Sequence, residues 1–464
     1  MPTDSRTIHF IGIGGAGMSA IAKVLLEAGN TITGSDLKIS DATERLSSMG
    51  ANIFLGHREE NLLNPDVVVV SSAIPANNIE LQTAKQRGIK VMQRGEMLAE
   101  LMSQRKGIAI AGAHGKTTTT SMVSLTLEKA GLDPTVLIGG ELNDIGGNAK
   151  LGRGEFLIAE ADESDGSFLK LKPHIAIVTN VEDDHLDYYG SMDNIVAAFT
   201  NFVEQVPTDG AAIVCADNSN AMKMIAKANP SRWITYGINQ PADYQARQVS
   251  FEAFTSTCEV WKQDRYLGSL DLIVPGRHSI LNALATVALA QEVGVEFNVV
   301  KEALATFNGV LRRFQHLGTV NGIHVVDDYG HHPTEILATL SAAKQGRFKR
   351  TVCVFQPHRY SRTKFLYREF GAAFHQADKL IVTDIYSAGE TPIAGVTAKL
   401  IVDAVLAEGG PDTIHIPDLK DVVSYLLKFT KPGDLVLTLG AGNVWQAGEE
   451  LIRMLSPAKH MVKT

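Results

Sequence analysis

The chain has 464 residues, more than a single hydrophobic core usually organises, so its length predicts two or three domains. Hydrophobic residues make up 45% of it and charged residues 20%, which excludes a disordered protein and is typical of a globular enzyme. The net charge of −8 argues against a nucleic-acid or anionic-membrane partner, because both require a basic surface.

Neither a signal peptide nor a membrane span is expected. The first thirty residues lack a basic start followed by an unbroken apolar run, and no later stretch reaches the roughly 18 apolar residues of a membrane helix. Three widely spaced cysteines, Cys215, Cys258 and Cys353, form no metal or disulfide pattern. A reducing cytoplasm is therefore the expected setting.

The first hundred residues predict a small parallel α/β domain, residues 1–105. Residues 7–11 form a short buried strand, a glycine-rich stretch follows, and an apolar helix ends at Gly29. Further strands are predicted at 30–36 and 66–74. The polar stretch 103–107 is the predicted linker.

A second α/β domain, residues 106–314, is predicted from a repeat of the order strand, loop and helix. Buried strands at 155–162 and 174–181 indicate a larger parallel sheet, and the alternating stretch 231–275 predicts an antiparallel flank. A second linker is predicted near 311–318. Five further strands predict a third α/β domain, residues 315–464: "IHVVDD", "RTVCVFQ", "KLIVTDI", "DTIHIP" and "DLVLTLGAG".

The first glycine loop has the complete G-x-G-x-x-G pattern at Gly12, Gly14 and Gly17. Glycines permit a tight turn and let backbone N–H groups approach a diphosphate at a helix N-terminus. Asp36, about twenty residues on, could accept a ribose hydroxyl. On its own, this motif predicts an NAD-dependent dehydrogenase.

The second loop, "AGAHGKTTTT", resembles a phosphate-binding loop but has Ile110 where the first glycine of that motif belongs. Lys116 can reach terminal phosphates, and the Thr117 hydroxyl can bind Mg²⁺. His114 is unusual in such a loop. A dehydrogenase has no need of a triphosphate loop, and a simple NTPase has no need of a second diphosphate cradle. Together the loops predict that a nucleotide-bearing substrate meets ATP.

Six ordered motifs resemble those of the Mur ligases of peptidoglycan synthesis, and the likeness runs from about residue 7 to 455. The motifs are "AGAHGKTTTT", "EADESDGSF" (160–168), "NVEDDHLD" (180–187), "PGRHSILNALA" (275–285), "DDYGHHPTEI" (327–336) and "FQPHRYSRT" (355–363). The resemblance implies three α/β domains: a Rossmann-like first domain, a central ATPase-like domain and a Rossmann-like third domain that binds the amino acid and closes over ATP.

The resemblance is strongest to the alanine-adding branch of the family. It implies that the first domain binds the UDP of a UDP-sugar rather than NAD. ATP would phosphorylate the lactyl carboxylate of UDP-N-acetylmuramate, and the amine of L-alanine would then displace phosphate from the acyl phosphate. The setting would be the bacterial cytoplasm, and the chain a monomer or homodimer.

The same resemblance implies the ATP and metal ligands. Thr117, Glu160 and His185 would hold Mg²⁺, with Mn²⁺ as an alternative, and Lys116 would serve the phosphoryl transfer. The implied ATP-binding residues are Gly112, Ala113, His114, Gly115, Lys116, Thr117, Thr118, His278, Asn282, Arg313 and Asp328. Those for the UDP-sugar are Gly12, Gly14, Gly15, Ala16, Gly17, Met18, Asp36, Ser71 and Ser72.

The motif "PHRYSR" lies just past the carboxyl end of a predicted strand, where open α/β sheets bind ligands. Arg359 and Arg362 could grip the carboxylate of the incoming amino acid. By resemblance, Tyr329, His331 and His358 line the same pocket, and His331 is the candidate general base.

Three alternatives stay open from the sequence. A related ligase that recycles cell-wall tripeptide has threonine for Ala113 and phenylalanine-alanine for Tyr329 and Gly330, so the residues present here favour the alanine-adding branch. A dehydrogenase could use the exact fingerprint at 12–17. A sugar-nucleotide sensor could retain the fold without catalysis.

Overall fold

The computed structural model describes residues 5–142, 147–228, 232–252, 254–346 and 348–456. Its strands form three separate sheets of five, ten and six strands, and in each sheet helices connect most of the parallel strands. The predicted α/β class is confirmed. The three sheets follow one another along the chain, as the three rounds of alternating strands and helices predicted.

The first sheet has the order β3-β2-β1-β4-β5, and all its neighbouring strands are parallel. The strand order reverses between β1 and β4, which is where open parallel sheets bind ligands. The elements are β1 (Thr7–Ile11), α1 (Ala16–Glu27), β2 (Thr31–Asp36), α2 (Asp41–Ser48), β3 (Asn52–Leu55), β4 (Val67–Val70), α3 (Ile79–Gln86), β5 (Lys90–Gln93) and α4 (Arg94–Met102).

The second sheet places β6 between β10 and β9, so the loop after β6 is flanked by the ends of both neighbours. The full order is β15-β14-β13-β12-β11-β10-β6-β9-β7-β8. The elements are β6 (Lys106–Ala111), α5 (Lys116–Lys129), β7 (Thr135–Leu142), β8 (Gly147–Lys150), β9 (Phe156–Glu160), β10 (Ile175–Val178), α6 (Leu186–Tyr189), α7 (Met192–Val203), β11 (Ala211–Cys215), α8 (Ser219–Lys227), β12 (Trp233–Gly237), β13 (Tyr244–Glu252), β14 (Thr255–Lys262), β15 (Arg265–Leu272), α9 (Arg277–Glu292) and α10 (Phe297–Ala305).

The third sheet has the order β16-β17-β21-β18-β19-β20, in which only β16 pairs antiparallel with its neighbour. Its apolar strands pack against two layers of helices. The elements are β16 (Gln315–Val320), β17 (Ile323–Asp328), α11 (Pro333–Gln345), β18 (Arg350–Phe355), α12 (Tyr360–Ala373), β19 (Lys379–Val382), α13 (Lys399–Ala407), β20 (Asp412–His415), α14 (Leu419–Phe429), β21 (Asp434–Leu439) and α15 (Trp445–Leu455).

The chain divides into two compact units. One comprises Met1–Gln248, Cys258–Leu270 and Ile280–Phe307, and the other comprises Val249–Thr257, Asp271–Ser279 and Asn308–Thr464. The predicted boundary between residues 105 and 106 lies inside the first unit. The three domain boundaries therefore stay predictions.

Two predicted connections are partly strand. β6 begins at Lys106, within the predicted first linker, and β16 begins at Gln315, within the predicted second one. β16 was missed because it is a polar edge strand that pairs on one side only. In the flank at 231–275, β12 and β13 are parallel, whereas the two residues between β14 and β15 can connect only antiparallel neighbours.

Within the described ranges, no helix has the length and apolar character needed to span a membrane. The cysteines Cys215, Cys258 and Cys353 are buried thiols that form no disulfide with one another.

A buried carboxylate organises the polar centre of the first sheet. Glu80, on α3, is fully buried and accepts hydrogen bonds from Ser35 Oγ at 2.5 Å and Asn61 Nδ2 at 2.5 Å. His57 Nδ1 lies 3.1 Å from the same carboxylate. Burial alone would raise the pKa of Glu80, but the His9, Ser35 and Asn61 side chains outweigh it and lower the pKa to about 2.

This network predicts a pH-dependent cost for Glu80→Gln. The glutamine NH₂ group would face the donors that now bond to the carboxylate, including Ser35 and Asn61. We expect this to lower the free energy of unfolding by roughly 2 kcal/mol at pH 7. Because the folded pKa of about 2 lies below the ordinary 4.5, ionised Glu80 stabilises the fold above about pH 4.5 and loses that effect as the pH falls. The difference in thermal unfolding midpoint between wild type and variant should therefore decrease as the pH is lowered from 7 to about 3.5.

The matched control is Glu60→Gln, at an exposed position in the short 3₁₀ helix Glu59–Asn61 between β3 and β4. It should leave the midpoint unchanged at every pH. A gap for Glu80→Gln that is absent at pH 7, or that widens in acid, would contradict the assigned role of the ionised carboxylate.

Candidate active site

The first glycine loop connects β1 to α1 at the carboxyl edge of the first sheet. Gly12 has a φ of +82°, a conformation that favours glycine, and its N–H donates to Ser35 O at 2.8 Å. The predicted residues Gly12, Gly14, Gly15, Ala16 and Gly17 lie in this turn and the first turn of α1. The Met18 side chain is buried in the core, so only its backbone faces the predicted ligand.

Asp36 ends β2 beside this loop. Its Oδ2 accepts the Gly14 N–H at 2.9 Å, so the carboxylate fixes the turn in addition to any contact with a ribose. Ser71 and Ser72 follow β4 at the same edge of the sheet, on the other side of the switch point. The nine residues predicted for the sugar nucleotide thus lie at one sheet edge, on loops, at the end of β2 and in the first turn of α1.

The second glycine loop connects β6 to α5. Gly112 has a φ of +138° and Gly115 one of +83°. A Cβ on Gly112 would lie 2.0 Å from Thr179 Oγ1, and one on Gly115 would lie 2.9 Å from Asn282 Oδ1. Neither position has space for a side chain. The loop is therefore narrow and backbone-lined, as a phosphate cradle requires.

Two residues that sequence reasoning missed, Thr179 and Asn180, hold this loop from the end of β10. Asn180 Oδ1 accepts the His114 N–H at 2.9 Å, and Asn180 Nδ2 donates to His114 O at 3.0 Å. Thr179 Oγ1 donates to the same carbonyl at 2.6 Å. His114 Nε2 also lies 3.2 Å from a Glu182 oxygen. His114 is thus part of the framework of the loop.

Lys116 begins α5 and lies among acidic groups. Its Nζ donates to Gly112 O at 2.5 Å and to Glu163 Oε1 at 2.7 Å. Burial alone would lower the pKa of Lys116, but the charges of Glu163, Asp162 and Glu160 outweigh it and raise the pKa. The ammonium therefore stays protonated at neutral pH. Glu163, which the sequence analysis did not select, is its direct partner.

Thr117 follows Lys116 in the first turn of α5, and Glu160 ends the neighbouring β9. Glu160 Oε1 accepts the Gly139 N–H at 2.8 Å. His185 precedes α6 with a φ of +62°, and its Nε2 lies 3.6 Å from Asp184. In the part of the chain that the structure describes, no three His, Cys, Asp or Glu side chains form a group that could hold a metal. The predicted mixed ligand set, with one hydroxyl, one carboxylate and one imidazole, stays a prediction.

Helix α9 carries the two predicted adenine contacts. Asn282 is buried, with its amide facing Gly115. His278, one turn earlier, belongs to the second compact unit, where burial and then the charge of Arg313 lower its pKa to about 4. A neutral imidazole at neutral pH follows.

Arg313 and Asp328 lie together in the second unit. Arg313 Nη1 is 3.4 Å from Glu335 Oε1, and the Asp328 carboxylate accepts backbone N–H groups from Phe314 and Gly330, each at 2.7 Å. Burial raises the pKa of Asp328 to about 6 despite the charge of Arg313. Arg312 instead binds Asp327 and Gly440 O, within the third sheet.

The residues predicted for the amino acid form one cluster at the carboxyl ends of β17 and β18. Ring centroids of Tyr329 and His331 are 5.3 Å apart, and those of His331 and His358 are 5.5 Å apart. Arg362 Nη1 lies 3.5 Å from His358 Nδ1. Burial lowers the pKa of both His331 and His358 to about 4, so both imidazoles are neutral at pH 7.

Arg359 has φ 73° and ψ 141°, a backbone conformation that is costly for a residue with a side chain. Its N–H donates to Tyr386 O at 2.9 Å, and Tyr386 stacks on His358 with ring centroids 5.7 Å apart. Glu390 accepts from Ser361 Oγ at 2.5 Å. Tyr386 and Glu390 come from the segment after β19 and were missed, although the adjacency of β18 and β19 brings their ends together.

Family models match three consecutive parts of the chain. Residues 7–106 match the Mur ligase family catalytic domain, residues 110–290 the Mur ligase middle domain, and residues 312–442 the Mur ligase glutamate ligase domain. Curated UDP-N-acetylmuramate–L-alanine ligases of Pelotomaculum thermopropionicum and Syntrophotalea carbinolica are each 54% identical to this chain, over 97% of it and 98% of their own length.

Solved structures of similar ligases also match this chain along nearly its whole length. The UDP-N-acetylmuramate–alanine ligase MurC of Thermotoga maritima is similar with a TM-score of 0.82 and 29% identity, covering 97% of this chain and 99% of that one. A murein peptide ligase of Psychrobacter arcticus is similar with a TM-score of 0.72 and 26% identity, covering 97% of this chain and 99% of that one.

Proposed function

The chain belongs to the Mur ligase family, and from that premise we propose that it joins L-alanine to the lactyl carboxylate of UDP-N-acetylmuramate in peptidoglycan synthesis, with conversion of ATP to ADP and phosphate. Relatives named as alanine ligases are 54% identical to it over 97% of its length, and of the two solved structures the alanine ligase, at 29% identity and a TM-score of 0.82, is more similar than the murein peptide ligase, at 26% and 0.72. These identities favour the alanine-adding reaction over the recycling one, and membership of the family excludes the dehydrogenase.

The observation that carries this proposal is the pair of glycine loops at the carboxyl edges of two different sheets. The first, after β1, presents helix N–H groups to a diphosphate, and the second, after β6, adds the charged Lys116. Separate cradles of this kind suit a reaction in which a sugar nucleotide and ATP are bound together. We assign UDP to the first loop and the ATP phosphates to the second.

The residues at the second loop suit a magnesium nucleotide. Gly112 and Gly115 leave no space for side chains, and Thr117 begins the helix next to the end of β9, where Glu160 lies. We assign Thr117, Glu160 and His185 as Mg²⁺ ligands together with phosphate oxygens. When bound, the metal would neutralise charge on the transferring phosphoryl group. Lys116 supplies a fixed positive charge at the same loop.

We assign the cluster of Tyr329, His331, His358, Arg359 and Arg362 to the amino acid. The two arginines provide charge for its carboxylate. His331 Nδ1 lies 2.9 Å from Tyr329 O, and because a carbonyl only accepts, Nδ1 carries the proton. The Nε2 lone pair is then free to accept from the amine. With a pKa of about 4, His331 suits a hydrogen-bond acceptor better than a strong base.

We place the reaction in the bacterial cytoplasm, where the three cysteine thiols would stay reduced. A monomer or homodimer is the proposed state.

The direct test is the substrate dependence of ADP release by purified protein. We expect release to require UDP-N-acetylmuramate, L-alanine and ATP together, and to disappear in Lys116→Ala while that variant still binds the UDP-sugar. Replacing UDP-N-acetylmuramate by UDP-N-acetylglucosamine, which lacks the lactyl acid, is the matched substrate control. ADP release with tripeptide but not with alanine would select the recycling reaction, and tight UDP-sugar binding without turnover would select a sensor.

A second prediction concerns Arg359. Removing its side chain in Arg359→Ala takes away a charge-assisted contact of roughly 1.5–3 kcal/mol, so the KM for alanine should rise about tenfold or more. The KM for ATP should change little. Steady-state kinetics with each substrate varied in turn measures both, and Arg368→Ala, at an exposed position in the helix α12 that follows Arg359, is the control. A selective defect in ATP use would contradict the assignment.

A further inference from the structure

Arg94, at the start of α4, lies against the first turn of α1. A Cβ on Gly17 would be 3.1 Å from Arg94 Nη1 and 3.2 Å from its Cδ, closer than nine in ten real contacts of this kind. The third glycine of the motif therefore makes space for a guanidinium at the helix start. No sequence motif pointed to Arg94.

One edge of this guanidinium is paired and the other is not. Nη2 donates to Asp162 Oδ2 at 2.9 Å and lies 3.4 Å from Ser167 Oγ. Among the residues that the structure describes, neither Nη1 nor Nε has a hydrogen-bond partner. Nη1 is the atom nearest Gly17, so the unpaired edge faces the glycine loop.

Asp162 connects this arginine to the second loop. It lies two residues after Glu160 in "EADESDGSF", and its Oδ2 accepts from Arg94 Nη2 at 2.9 Å. Its negative charge also acts on Lys116, at the start of α5. A line of alternating charges thus runs from the first cradle through Arg94 and Asp162 to Lys116.

The free N–H groups in the first turn of α1 and the unpaired edge of Arg94 together favour an anion. A guanidinium held by a carboxylate on one edge is oriented to bind an oxyanion with the other. We propose that Arg94 binds an oxyanion of the sugar nucleotide and orients it towards the second loop. This inference rests on the proposed function, and it adds a substrate contact from outside the glycine motif.

Two groups of UDP-N-acetylmuramate carry suitable oxyanions: the diphosphate and the lactyl carboxylate. UDP-N-acetylglucosamine has only the diphosphate. Measuring the affinity of each ligand by calorimetry therefore distinguishes the two sources. If an Arg94 variant binds both ligands more weakly, Arg94 contacts the diphosphate. If it binds only UDP-N-acetylmuramate more weakly, Arg94 contacts the carboxylate.

The variants are Arg94→Met, which keeps the length of the side chain without its charge, and Arg94→Lys. We expect Arg94→Met to weaken UDP-N-acetylmuramate binding about tenfold or more, and Arg94→Lys to restore part of it. Affinity for a non-hydrolysable ATP analogue should change less than about twofold, because Arg94 lies at the first loop. If Arg94 had only a structural role, lysine would not restore the affinity for UDP-N-acetylmuramate while the affinity for the ATP analogue stays unchanged.

Lys170→Met is the matched control. Lys170 Nζ pairs with Glu96 Oε1 at 2.9 Å across the same contact between α4 and the turn Ser167–Lys170, but both side chains are exposed. Unchanged UDP-N-acetylmuramate affinity in folded Arg94→Met, or an equal loss in Lys170→Met, would overturn the inference. Failure of the wild type to bind UDP-N-acetylmuramate would instead remove the proposed function, and the inference with it.

Discussion

The constraint on which this structure depends is the repulsion between two anions that must react. A carboxylate and a terminal phosphate 4 Å apart repel by about 4 kcal/mol at an effective dielectric of 20, before any desolvation. Fixed positive charge at the point of contact has to offset that repulsion. We assign this role to Lys116, which lies partly buried among carboxylates that keep it protonated and donates through its Nζ to Glu163.

The fold meets this constraint with ordinary features of parallel sheets. Strand ends at one sheet edge bring together residues that are far apart in the sequence, and helix starts add N–H groups there. In the second sheet, β9 and β10 flank β6, so Glu160 and Asn180 lie on either side of the phosphate loop. In the third, the ends of β18 and β19 bring Tyr386 beside His358. The buried apolar strands thus fix the position of the backbone that carries these polar groups.

Features that depend on residues close together in the sequence were predicted, and features that depend on contacts between distant residues were not. Strand β1 and five of the six strands of the third sheet were predicted because each is a short apolar run bounded by turns, and both loops were found from glycine spacing. Thr179, Glu163 and Glu390 were not found, because their roles depend on which strands are neighbours, which no local pattern specifies. Strand β16 was taken for a linker because an edge strand can be polar. Arg94 was not predicted because its role depends on a contact with Gly17, which is distant in the sequence.

The central claim is that ATP activates the sugar acid as an acyl phosphate before the amide forms. It is tested most directly with UDP-N-acetylmuramate labelled with ¹⁸O in the lactyl carboxylate. When the alanine nitrogen displaces phosphate, one carboxylate oxygen leaves with it, so the account predicts one ¹⁸O atom in each phosphate released, as read by mass spectrometry. Phosphate without label, formed together with the amide, would contradict it.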